Sequence, residues 1–390
     1  MKVLTAFDSA PHQYFDVIYK GLVSKGLEIT DLNYSSIHNA ESENGKIILR
    51  NQEGESIAQE GSDGMVHFPT PINGLNKCHK WLCTTARNYM YNPNAHESLD
   101  DFDAILIGAA STIDYKQKSF KELLDKVDHR FRLLDGGDDW YIRTGNDKFN
   151  IYFKRELMHS HVPNLKEFVA RRFGDRRGSN SKEIISFWKR EVIGQMLATD
   201  RKKTLLNVMG KLYNNDKRFH PLNLSVGKHD LASRIREKKF DIFFVTSSGS
   251  ASRRYFAEKV LEFSKKHNLK AYVKVTGSFY GGLPWNEYVE IMRSSKLAVS
   301  LPGNGFDTIR YWEIPYYGTA LVSQRLPLVI ENDFVDMDSA IFFSDFIEFK
   351  QKVLEVLRKG LWDDISKKGT NIFNKFHTEE ERANRILNTF

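Results

Sequence analysis

The sequence predicts an α/β chain built as two domains, on three observations. Short apolar runs alternate with stretches whose apolar residues recur at helical spacing, the pattern of strands followed by helices. Runs such as Ala104-Ile105-Leu106-Ile107 are apolar throughout, as strands covered on both faces of a parallel sheet are. With 390 residues, the chain is longer than one hydrophobic core usually supports.

In order along the chain, Val3 to Phe7 reads as a strand, the loop Asp8 to His12 follows, and Phe15, Ile18, Tyr19 and Leu22 mark a helix. Leu27 to Leu32 alternates like a strand. Residues 36–75, rich in Asn, Ser, Glu and Gly, are expected to form a hairpin. Asp103 to Gly108 is a buried strand, and Phe120, Leu123, Leu124 and Val127 predict a helix. Phe131 to Leu134 is a strand running into Asp135-Gly136-Gly137-Asp138-Asp139-Trp140, and Ile151 to Leu157 is another. From about 163 to 215 the pattern is helical and basic, with Arg171, Arg172, Arg176 and Arg177 among its cations, and reads as an inserted helical pair. Pro221 to Lys239 is expected to be the link to the second half.

That half alternates more clearly. Strands are expected at 240–245, 270–275, 297–301, 320–323 and 341–343. Helices are expected at 255–267, 288–292, 309–317, 346–357 and 380–387. The boundaries read as 1–230 for the first domain, 235–372 for the second and 373–390 for a terminal helix.

Composition narrows the function classes. Hydrophobic residues are 41% and charged residues 27%, ordinary for a globular chain. No run approaches eighteen apolar residues, and Met1 to Asp8 lacks a signal peptide's apolar core, so a cytoplasmic location is expected. Cys78 and Cys83 flank His79 without further ligands for a tetrahedral metal, and read as reduced thiols in a helical segment. The net charge of +7 favours anionic partners, while no helix-turn-helix, zinc-finger or aromatic RNA-binding motif supports nucleic-acid recognition.

Two constellations carry chemistry. The first is Thr246-Ser247-Ser248-Gly249-Ser250-Ala251-Ser252-Arg253-Arg254, a strand end entering a helix. Small residues there admit a phosphate, the helix start offers amides and arginine adds a cationic fork; the bland alternative is an ordinary Ser/Gly cap. The second runs from Ser300 through Pro302-Gly303-Asn304-Gly305 and Thr308 to Arg310 and Glu313. The glycines suit a turn at positive φ, and the short helix after it places Arg310 and Glu313 one turn apart. A carboxylate there can grip ribose hydroxyls and the guanidinium a diphosphate; the alternative is an i,i+3 surface ion pair worth under about 1 kcal/mol.

The run Arg310-Tyr311-Trp312-Glu313-Ile314-Pro315-Tyr316-Tyr317-Gly318 resembles the donor-site segment of GT-B glycosyltransferases, where Arg-x-x-Glu-x-x-x-x-Gly precedes a short apolar strand. It looks closest to the spore-maturation CgeB-like branch of the group 1 enzymes. Asp241 to Phe244 entering a Ser/Gly loop, the ending His377-Thr378 with Arg382-Ala383 and Ile386-Leu387, and the Leu-Asp-Gly-Gly-Asp-Asp segment are also similar to it. The resemblance implies two Rossmann-like domains facing across a cleft, a basic helical insertion in the first, and a last helix returning to that domain. It implies sugar transfer from a nucleoside diphosphate donor to a hydroxyl of a glycan, lipid-linked or polymer acceptor, with no cofactor and no bound metal. Ser247, Ser248, Gly249, Arg253, Arg254, Gly303, Asn304, Gly305, Thr308, Arg310 and Glu313 become donor-side residues. Asp138, Asp8 and His12, at predicted strand ends of the first domain, become candidates for the general base an inverting reaction needs. Each has a plainer role as a cap, turn or surface residue. Lys154 and Arg155 either line the cleft or decorate an edge strand. The basic stretch 165–205 either is a solvated face or docks an anionic polymer or the inner membrane surface. One departure stands out: retaining enzymes of the group usually carry Glu-x7-Glu, but Gly305 occupies the first position, with Asp307 off register. A non-catalytic nucleotide- or glycan-binding module and a DNA-modifying glucosyltransferase are the alternatives.

Overall fold

The computed structural model describes residues 1–7, 13–31, 39–43, 46–50, 55–62, 65–72, 75–79, 99–109, 125–137, 148–157, 217–226, 237–247, 251–276, 283–303 and 305–390. The chain divides into two compact units. One comprises Met1–Leu157, Lys217–Asp230 and His377–Phe390; the other comprises Met158–Asp216 and Leu231–Phe376. The helix expected on Phe120 to Val127 and the basic helical pair at 163–215 lie essentially outside the described residues.

The first unit carries a six-stranded sheet in the order β11-β10-β9-β8-β1-β2, every pairing parallel. β1 is Lys2–Phe7, β2 Glu28–Asp31, β8 Ala104–Ala109, β9 Phe131–Asp135, β10 Ile151–Lys154 and β11 Phe219–Pro221. Helix α1, Gln13–Ser24, follows β1 and buries Phe15, Ile18, Tyr19 and Leu22, the residues whose spacing predicts it. The expected link, Pro221 to Lys239, overlaps a strand only at its first residue: Phe219–Pro221 pairs with β10 at the sheet edge, where a proline's missing N–H costs no ladder bond.

Between β2 and β8 the expected hairpin is instead a five-stranded antiparallel meander. Its strands are β3 (Asn39–Glu43), β4 (Lys46–Arg50), β5 (Ser56–Glu60), β6 (Met65–Ile72) and β7 (Leu75–His79). Cys78 therefore sits on a strand opposite Val66, not in a helix; Cys83 lies outside the described residues.

The second unit is a five-stranded parallel sheet in the order β13-β12-β14-β15-β16. In chain order it reads β12 (Phe240–Ser247), α2 (Ala251–Lys266), β13 (Ala271–Thr276), α3 (Trp285–Arg293), β14 (Ser295–Ser300), α4 (Ile309–Tyr316), β15 (Ala320–Gln324) and β16 (Ile341–Phe343). Its core joins Ile242, Phe244, Leu297, Val299 and Val322 from the strands to Val260, Phe263, Phe349 and Val353 from the helices. Helix α5, Phe346–Lys359, is capped by Asp345, whose carboxylate accepts from the amides of Ile347 and Glu348 at 2.8 Å. It stops at Gly360, in the left-handed region at φ 69°. A further helix, α6 (Trp362–Phe376), was not expected from the sequence.

The last helix, α7 (Glu379–Leu387), packs on α1 within the first unit. Thr378 caps it, and buried Arg382 donates from Nε to the carbonyl of Asn223 and from Nη2 to that of Leu224, both at 2.9 Å. A Cβ at Gly21 of α1 would stand 2.1 Å from the carbonyl oxygen of Glu379, so only glycine allows this approach. Among the described residues, no helix is long and apolar enough to cross a membrane.

Candidate functional site

Strand order locates the site. From β12 the chain goes to β13 on one side, and the next strand, β14, lies on the other. The loops leaving the carboxyl ends of β12 and β14 therefore diverge. This topological switch point is where open parallel sheets collect ligands. Both constellations singled out from the sequence leave from these two strands.

Ser247 ends β12, while Ser248, Gly249 and, on the other loop, Asn304 lie outside the described residues. Arg253, in the first turn of α2, reaches across the switch point. Its Nε donates to the carbonyl of Pro302 at 2.9 Å and its Nη2 to that of Leu301 at 2.8 Å, and the side chain is buried. Arg253 thus fastens the β14 loop to the start of α2. Its neighbour Arg254 is exposed.

The clasp also explains Gly303. Its φ is not in the left-handed region, so conformational freedom is not the reason for glycine there. A Cβ would instead meet Arg253 Nη2 at 2.7 Å. The Gly303 amide donates to the Gly305 carbonyl at 2.8 Å, and Thr308 Oγ1 lies 3.0 Å from Ser300 Oγ, closing the loop onto the strand end.

Helix α4 then presents Arg310 and Glu313. Glu313 is 1% exposed, which excludes the surface ion pair. The two groups are joined through α3: Arg310 Nε donates to the Tyr288 hydroxyl at 3.2 Å, and that hydroxyl donates to Glu313 Oε2 at 3.2 Å. Burial raises the Glu313 carboxyl to about 7, against the opposing pull of Arg310 and the Tyr288 hydrogen bond. Burial, reinforced by Glu313, pushes the Tyr288 phenol upward as well. The off-register Asp307 accepts from Trp312 Nε1 at 2.7 Å and is buried, a packing role. The helix closes on Gly318 at φ 72°, with the Gly318 amide bonding Pro315 and the Thr319 amide bonding Ile314, both at 3.1 Å. The glycine of the Arg-x-x-Glu-x-x-x-x-Gly run is thus the left-handed stop that turns the chain into β15.

On the first unit, Asp8, His12 and Asp138 lie outside the described residues. Lys154 and Arg155 neither line an open surface nor decorate an edge. Parallel register sets Lys154 beside Asp135, and the ammonium pairs with that carboxylate at 2.9 Å with both side chains essentially inaccessible. Asp135 also accepts from the Tyr152 hydroxyl at 2.5 Å and the Gly137 amide at 3.0 Å. Arg155 Nη1 donates to the Gly136 carbonyl at 2.8 Å. Together they fasten the Gly136-Gly137 turn at the carboxyl end of β9. Tyr288 was missed as a functional candidate. Tyr288 sits at a core position of an amphipathic helix, and nothing local distinguishes it from packing.

Residues 253–388 match the family model described as glycosyl transferase-like. That segment begins in the first turn of α2, contains the β14 loop, Arg310 and Glu313, and extends through α7. A search of curated proteins by sequence finds no match. Among solved structures the chain is similar to a mutant of S. aureus TarM in complex with Fondaparinux, alpha-GlcNAc-glycerol and UDP, at 11% identity and a TM-score of 0.42, covering 100% of this chain and 99% of that one. It is similar to sucrose-phosphate synthase from Thermosynechococcus elongatus at 8% identity and a TM-score of 0.47, covering 100% and 98%. The pneumococcal O-GlcNAc transferase GtfA, in complex with UDP and GlcNAc, matches at 9% identity and a TM-score of 0.40, covering 90% of this chain and 68% of that one.

Proposed function

We propose that the chain is a GT-B glycosyltransferase that moves a sugar from a nucleoside diphosphate donor to a hydroxyl of a glycan, lipid-linked or polymer acceptor, without a bound metal. The observation that carries this reading is the linkage of half-buried Arg310 to buried Tyr288 and Glu313, beside the two switch-point loops and within the glycosyl transferase-like segment. Glu313 would exchange its place in that linkage for the ribose hydroxyls of the donor. A desolvated carboxylate makes strong charge-assisted hydrogen bonds when a ligand replaces the water it has lost. Arg310, the exposed Arg254 and the amides at the start of α2 would neutralise the leaving diphosphate, the work a metal does elsewhere. Arg253 and Gly303 act by positioning the β14 loop. Asp138, Asp8 and His12 remain the proposed sources of a general base, and stretch 165–205 a proposed contact for an anionic acceptor or the inner membrane surface.

The test is a thermal-shift panel of UDP, GDP, TDP, CMP and ADP on wild type and Glu313→Ala. One nucleoside diphosphate should stabilise the wild type and lose most of that effect in the variant. Equal stabilisation of both proteins removes Glu313 from the site. One observation favours a second reading, a binding module without chemistry: Gly305 stands where the group's first glutamate stands, and Asp307 is committed to Trp312. Donor turnover in the presence of acceptor separates the two.

A further inference from the structure

The opposite end of the same sheet carries a groove that nothing above uses. It lies where the chain enters β12, β14 and β15: Lys238 precedes the first strand, Arg293 ends the helix before the second, and Tyr317 and Gly318 precede the third. The cavity measures about 760 Å³, within the range that holds a sugar-sized or larger ligand. Strands of six to eight residues separate it from the switch-point loops by roughly 20 Å, so it is a distinct site.

We propose that this groove binds a negatively charged saccharide chain. One wall is a single face of α6, where Asp363, Ser366, Lys367, Thr370 and Asn371 recur at helical spacing. Lys238 and Arg293 also line the groove. Lys238 is held by a 2.8 Å bond to the Arg293 carbonyl and lies 5.7 Å from the centre of the Trp362 ring. The floor at Gly318 is bare backbone: a Cβ placed there would have nothing within 4 Å.

The chemistry of these groups selects the ligand. Three cations, Lys238, Arg293 and Lys367, face one carboxylate, Asp363, so the groove favours negative charge. The Asp363 carboxylate opposes a bare polyphosphate, while it and the Asn371 amide both suit sugar hydroxyls, which donate and accept. The Trp362 ring lies under the Lys238 ammonium and helps hold that cation at the groove. Asp363 and Lys367 pair at 2.6 Å with about half of each side chain exposed, so a ligand can displace that ion pair at little cost. Binding stands on these residues alone. Its use, retaining the far part of an acceptor chain while the near end reacts, rests on the glycosyltransferase reading.

The experiment is a calorimetric titration of the full chain with oligogalacturonate, which carries a carboxylate on every sugar. Maltooligosaccharide of equal length and inorganic tripolyphosphate serve as comparisons. Oligogalacturonate should bind saturably at physiological salt, and maltooligosaccharide more weakly. Tripolyphosphate should not displace the bound chain at equal charge. Lys367→Glu and Arg293→Glu, both partly exposed, should each weaken binding about tenfold. The nucleoside diphosphate thermal shift should stay unchanged in both variants. No saturable binding, equal binding by the two variants and the wild type, or full displacement by tripolyphosphate each overturns the groove as a saccharide site. Failure of every nucleotide to stabilise the wild type would instead sink the donor reading, with the groove's outcome still decided by the titration.

Discussion

Replacing Glu313 by glutamine tests the site's electrostatics without changing its shape. The ordinary value of 4.5 is raised to about 7 in the fold, so the folded protein holds a proton that the unfolded chain releases between these pH values. Stability contributed by this group is therefore complete below pH 4.5, falls as pH rises toward 7, and is flat above it. The displacement corresponds to about 3 kcal/mol across that window. Glutamine keeps an acceptor for the Tyr288 hydroxyl and has no proton to lose. Glu313→Gln should therefore match the wild type near pH 4.5 and exceed it at pH 8 by up to about 3 kcal/mol, while losing the nucleotide-induced stabilisation. Urea denaturation of both proteins at pH 5 and pH 8 measures this. A difference that is the same at both pH values would mean that the carboxylate is not desolvated in the fold.

Gly303→Ala drives a methyl group into the Arg253 guanidinium and frees the carbonyls of Leu301 and Pro302. It should destabilise the second unit by about 2 kcal/mol or more and abolish nucleotide-induced stabilisation, both read by thermal and urea unfolding. Lys154→Met leaves the Asp135 carboxylate buried without its ammonium and should cost about 3–5 kcal/mol of stability. Adding Asp135→Asn to that variant should recover part of the loss, measured by urea denaturation, and nucleotide binding to the second unit should be unaffected by either change.

Most of the parallel framework was legible because buried strands and amphipathic helices write their periods into local sequence. Phe15, Ile18, Tyr19 and Leu22 are all buried on one face of α1. The meander was not legible as five strands, since Asn39 to Glu43 is polar and is held by pairing with β4 rather than by strand propensity. Helix α6 escaped because its buried positions include Ser366 and Gly369, leaving Ile365 and Phe373 too far apart to mark a stripe. Within the candidate site, residue types were readable but their partners were not. Arg253 could be placed at a phosphate-binding turn, yet the carbonyls it binds come from 48 and 49 residues away. Lys154 looked available because its counter-charge, Asp135, lies on the neighbouring strand. Gly303 was read as suited to positive φ, whereas the space beside it is filled by the Arg253 guanidinium.

Photo-crosslinking would locate the donor most directly. An azido derivative of whichever nucleoside diphosphate stabilises the wild type is irradiated with the full chain, and the labelled peptides are mapped by mass spectrometry. Label is expected within 247–254 and 301–313, competed away by the parent nucleotide and absent from Glu313→Ala. Saturable label confined to other segments, unchanged by that substitution, would contradict that placement.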